Sequence, residues 1–166
     1  IGLTDVPGTE GVNRSTMTSH TNSDLTAMIG RRFASGGQED VYYSEATGAV
    51  VMPPAPNQGD ASLDLHAVLD DGRVLVQYRA RNPETDEFQA YTFLWSPDGN
   101  WTDLTDLYSG AAIGVASPGG AVGEPVRGSW EDPRDRLFRW TPEGGYEELS
   151  LPGGREVGGI PFGLNE

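Results

Sequence analysis

The chain has 166 residues, with 23 Gly, 12 Pro, two His, no Cys, and a formal charge of −14 from 25 acidic and 11 basic residues. Without Cys there is no disulfide framework, thiolate metal site or Cys nucleophile, and so acidic a chain repels a phosphate backbone, so no nucleic-acid partner is expected. Every basic residue is Arg, turn formers are enriched, and no run of ~18 apolar residues exists that would span a membrane.

In chain order, Ile1–Gly8 has the pattern of the last strand of a preceding unit, and the first whole unit follows over about residues 9–56. Its inner strands are expected at Val12–Thr18 and Asp24–Arg31, and its outer strands at Val41–Ser44 and Ala49–Met52. His20, in Ser19-His-Thr-Asn-Ser23, falls between the inner pair and reads as a loop or turn residue. Pro53-Pro54-Ala-Pro56 then interrupts the chain.

The second unit, about residues 60–108, is the clearest. Leu63–Leu69 and Arg73–Arg79 are short apolar or alternating runs around Asp70-Asp71-Gly72, a hairpin signature. Arg81–Glu87 is a polar loop. Phe88–Trp95, the turn Ser96-Pro-Asp-Gly99 and the alternating Trp101–Leu107 complete four strands. The third unit, about residues 111–152, repeats the order. Ala112–Ala116, the turn Ser117–Gly120, Ala121–Arg127 with Pro125 as an edge or bulge marker, Asp135–Trp140, a Gly-rich turn and Tyr146–Leu151 follow one another. Val157–Glu166 matches the first strand of another unit. No stretch carries a continuous helical stripe.

One frame recurs in all three units: Tyr43 to Met52, Trp95 to Leu104 and Trp140 to Leu149. In each, an aromatic precedes an apolar residue by nine positions with a Gly turn between, and the copies lie 45 to 52 residues apart. Repetition at this period is the mark of stacked β-units. The expected fold is therefore all-β, a propeller-type repeat of four-stranded antiparallel blades, with three whole units and half-units at 1–8 and 157–166. Three blades are fewer than a closed ring needs, so the chain is expected to be part of a larger propeller or to be completed by another chain. A start at Ile1 is compatible with processing. The recurring aromatics are expected to join neighbouring sheets.

The frame Phe93-Leu-Trp95-Ser-Pro-Asp-Gly99-Asn-Trp-Thr-Asp-Leu104 resembles the HAF repeat of secreted bacterial proteins. Phe138-Arg-Trp140 and Gly159-Ile-Pro-Phe-Gly-Leu-Asn165 match it in part, and Val41-Tyr-Tyr43 loosely. The resemblance implies a secreted, extracellular or periplasmic, propeller-like array, and it carries no catalytic residues.

Chemistry-bearing residues are few. No nucleophile elbow, HExxH or Walker motif occurs, so no catalytic residue is assigned. His66 alternates with Asp64 in an apolar strand, which suits a structural polar position, with a ligand contact as the sharper reading; His20 is read the same way. The two meet only if their units present them to one face. The loop residues Asn82, Glu84, Asp86 and Glu87 bring several oxygens together, as a structural Ca²⁺ requires, although without the Asp-x-Asp-x-Asp-Gly ligand spacing; a solvated acidic loop is the plainer reading. Trp130 has no counterpart in the other units. Flanked by Asp132 and Arg134, it either covers an end of the core or stacks on a sugar or anchors a partner. The expected function is a secreted binding module for a carbohydrate or protein partner. The alternatives are a hydrolase or lyase on a propeller scaffold, and a structural subunit assembling through open strand edges.

Overall fold

The computed structural model describes residues 17–34, 37–59, 61–81, 86, 88–105, 111–125 and 138–149. They form twelve strands: β1 Met17–Thr21, β2 Ala27–Ala34, β3 Gly37–Ser44, β4 Gly48–Val51, β5 Leu63–Val68, β6 Val74–Arg81, β7 Phe88–Trp95, β8 Trp101–Asp103, β9 Ala111–Ser117, β10 Gly120–Pro125, β11 Phe138–Thr141 and β12 Gly145–Glu148. The fold is all-β. Each successive set of four makes one antiparallel sheet in sequence order, β1 to β4, β5 to β8 and β9 to β12.

Turn chemistry closes the hairpins where the sequence places it. After β5, the Leu69 amide donates to the Arg73 carbonyl and the Gly72 amide to Leu69, with Gly72 at φ +84°. That left-handed position is open to Gly at no steric cost. The first sheet departs from expectation. Its strands β1 and β2 lie further along the chain than the pattern suggests, so Asp24 sits in the connecting turn and His20 in a strand. The reason is local: the Asn22 side-chain oxygen accepts from the Thr26 and Ala27 amides, and its amide donates to the Thr26 hydroxyl. This Asx-type closure fixes the turn at 22–26, and no Gly or Pro announces it. The partial strands expected at 1–8 and 157–166 lie outside the described residues.

The middle sheet is buried on both faces, which is why its strands read as almost continuous apolar runs. Val74 to Tyr78 are all buried, and so are Thr92 to Trp95. Alternation along each strand divides these side chains between two cores. Val74, Val76, Tyr78, Phe93 and Trp95 meet Ala27, Ile29 and Tyr42 of the first sheet. Leu75, Leu94, Ala67 and Leu69 meet Ile113, Ala121, Phe138 and Trp140 of the third. Register makes the two packings equivalent. Trp95 pairs with Val74 and Trp140 with Ala121, and each indole sits on the face turned toward the preceding sheet. Trp95 meets Tyr42 edge to face, centroids 5.5 Å apart at 69°, a geometry that adds about 1 kcal/mol beyond area burial. Tyr43, at the matching place in the first sheet, is half-buried against Met28. One buried polar bridge crosses the second interface: the Gln77 amide donates to the Thr92 hydroxyl (2.7 Å), and its oxygen accepts from the Ile113 amide (3.2 Å).

Candidate functional site

The first strands of the three sheets lie together, β1 against β5 and β5 against β9. All three carry one extra residue relative to the second strand of their sheet. The register shift falls between Met17 and His20 in β1, between Leu65 and Ala67 in β5, and between Ile113 and Val115 in β9. Such a bulge interrupts alternation and re-aims the side chain it carries. In β5 the extra residue is His66 itself, so the Asp64–His66 alternation visible in the sequence is broken at the histidine.

The structure brings the two histidines into one neighbourhood. His20 stands on β1, half-buried, and its charge acts on His66 across the β1–β5 contact. Burial lowers the pKa of His20. His66 is pushed down to about 4, first by burial, then by His20 and by Arg79 of β6. Its ring is partly exposed, yet Nε2 is covered and has no hydrogen-bond partner among the described residues. At neutral pH His66 is therefore an uncharged imidazole with an unused nitrogen. Arg79 is exposed and, among the described residues, has no ion pair. Sequence reading did not single it out. Its only signal is its place at the end of the alternating run Arg73–Arg79; it pairs with Ala90 of β7, one residue beyond the part of β6 that pairs with β5.

A second feature is an open cleft of about 280 Å³ between the first and second sheets, at the end carrying the β1–β2, β3–β4 and β5–β6 turns. Asn22, Thr26, Tyr42, Ser44, Glu45 and Asp71 are among its lining residues. Its polar groups mostly bind one another. Asp70 accepts from the Ser23 amide (2.9 Å) and hydroxyl (3.2 Å), joining turns 47 residues apart. Asp71 holds Arg73 at 2.6 Å; burial pushes its carboxyl up, but the hydrogen bonds and charge of Arg73 outweigh this and hold it below its ordinary value. Burial raises the Tyr42 hydroxyl, with Ser44 opposing and Asp71 assisting. The cleft works as a clasp between sheets. Asp70, legible only as turn chemistry in the sequence, also fastens the first sheet to the second.

The remaining expected site residues divide simply. Trp130, Asp132 and Arg134 lie outside the described residues, as do Asn82, Glu84 and Glu87. Asp86 is described: exposed, at φ +59°, with its carboxylate 2.9 Å from Arg81 and its carbonyl accepting from the same guanidinium. That carboxylate already faces a cation, which opposes its use as a Ca²⁺ ligand. No group of three or more metal-ligating side chains occurs among the described residues, and no helix among them is long and apolar enough to cross a membrane. No protein-family model matches the chain, and a search of curated proteins finds no relative.

Proposed function

We propose that the chain is part of a secreted β-propeller of the HAF-repeat type and serves as a binding module for a carbohydrate or protein partner. In this reading further blades, or another chain, complete the ring. The observation that carries it is the twice-used sheet packing, with each indole-bearing face set against the preceding sheet and the first strands side by side. Such an arrangement, extended, closes around an axis lined by first strands. Ligands of such scaffolds are met by side chains of those strands and by the adjoining loops. Here these are His20 of β1 and His66 of β5, and Trp130, outside the described residues, is the further candidate. Binding is favoured over catalysis in that three turn carboxylates are already engaged within the fold: Asp70 by Ser23, Asp71 by Arg73 and Asp98 by Asn100.

Two measurements test the reading. Light scattering gives the solution mass; assembly beyond the 17.8 kDa monomer is expected if another chain completes the ring, and a monomer removes that element. A glycan array is then probed with the wild-type chain and with Trp130→Ala and His20→Gln. Binding weakened by either variant supports the module. No bound glycan, or binding untouched by both, overturns the carbohydrate reading.

A further inference from the structure

The last strand of each sheet, β4, β8 or β12, is an edge with nothing paired beyond it among the described residues. Natural edges are guarded against pairing by charge, and two of these are. Strand β8 carries Asp103, exposed, and β12 carries Glu147, exposed, and Glu148. Strand β4 is Gly48-Ala-Val-Val51 and carries no charge, on a chain of charge −14. Its Ala49 and Val51 are exposed, Val51 at 49%. Hydrogen bonding to β3 fixes which backbone groups of β4 point outward. The Met52 amide donates to the Asp40 carbonyl, so in the alternating antiparallel ladder the pairs Tyr42–Val50 and Ser44–Gly48 are the hydrogen-bonded ones. Ala49 and Val51, between them, turn their N–H and C=O groups away from β3. Among the described residues no group binds these.

We infer that β4 is the docking edge for a second copy of this chain, the two β4 strands pairing antiparallel about a two-fold axis at Val50. With the axis there, Ala49 of one copy lies directly opposite Val51 of the other. The two residues exchange both backbone hydrogen bonds, and symmetry repeats the exchange on the far side of the axis. Their side chains share a face, a small one beside a branched one. The register is self-complementary, as a two-fold interface requires, and it sets no charge of β4 against its copy. At β8 or β12 the same pairing would bring carboxylates of two acidic chains together, which is destabilising. The contact lies at the opposite edge of the sheet from β1. It is therefore independent of a ring lined by first strands, and of any ligand held there.

Sedimentation velocity of the intact chain is the first measurement, over about 10 to about 500 µM because a short strand pair associates weakly. A monomer–dimer equilibrium is expected, strengthened as salt screens the repulsion between two chains of charge −14. Val51→Glu, at an exposed position, should weaken it about tenfold or more without unfolding the chain. Adding Ala49→Lys to that variant should restore it, because position 49 faces position 51 of the other copy. Amide hydrogen exchange reads the contact directly. The Ala49 and Val51 amides should gain protection as concentration rises, while the Val50 amide, turned toward β3, is protected throughout. A chain that stays monomeric at the highest concentration and salt overturns the inference. So does an assembly that survives Val51→Glu, is not restored by Ala49→Lys, or leaves the Ala49 and Val51 amides unprotected; that assembly is the ring-completing contact instead. Loss of the dimer in Val51→Glu with glycan binding unchanged supports the pairing as a contact separate from the binding site.

Discussion

Acid should loosen this protein through His66, and the size of the effect follows from its surroundings. The imidazole titrates at 6.5 when free and at about 4 in the fold. Its folded pKa is depressed, so the unfolded chain binds the extra proton first, and stability falls as pH drops from about 6.5 toward 4. Below the folded value both states are protonated and the loss is complete. A displacement of this size corresponds to about 3 kcal/mol at full effect, with little of it lost at pH 7. Against the 5–15 kcal/mol typical of a domain, that is a large share.

The measurement is urea unfolding followed by tryptophan fluorescence, at half-unit steps from pH 7.5 to 4, in a buffer free of carboxylates. Acidic side chains also titrate in the lower part of this window, so the wild type is compared with His66→Gln at each pH. The substitution keeps a polar group at the bulge and removes the titration. The difference between the two stabilities should shrink or reverse in favour of the variant by about 3 kcal/mol between pH 7 and 4. A difference that stays flat would refute the reasoning, since it requires the ring to be solvated and β1 to stand clear of it.

Other substitutions probe the sheet stack and its turns. Trp95→Ala and Trp140→Ala should each cost about 3–5 kcal/mol in urea unfolding, because both indoles are buried between sheets. Tyr43→Ala, at the matching but half-buried place, should cost roughly a third as much; equal losses at all three would contradict the packing described. Gly120→Ala should destabilise by more than about 2 kcal/mol. Gly120 stands at φ +155°, and an added Cβ would lie 2.2 Å from the Trp140 carbonyl oxygen; an unchanged midpoint would rule that clash out. Leu25→Asn should stabilise by about 0.5–1 kcal/mol, since Leu25 is 72% exposed at φ +59° and gives up no core contact. A loss there would mean that the leucine has a partner.

What the sequence disclosed depended on whether a feature is local. Asp70-Asp71-Gly72 and the Trp95 frame were legible because a turn and the strands beside it are written in adjacent residues. The continuous run Val74–Tyr78 told of burial on both faces, without naming the neighbours that cover it. The Asn22 turn was not legible, because an Asx closure uses a residue common in any polar stretch, and so His20 was placed in a loop. His66 shows the limit most clearly. Period-two alternation set it on one face with Asp64, but a single extra residue in β5 changes where every side chain beyond it points. Pairing with β6 reveals that residue, and β5 alone does not. The candidate site consists of a bulged residue and a residue from a strand 46 positions earlier, so no contiguous motif contains it. Repetition along the chain marks what packs, as Trp95 and Trp140 do. The site lies where the copies differ: the bulge position that holds His66 in β5 holds Gly114 in β9, so one shared backbone feature presents an imidazole in one sheet and no side chain in another.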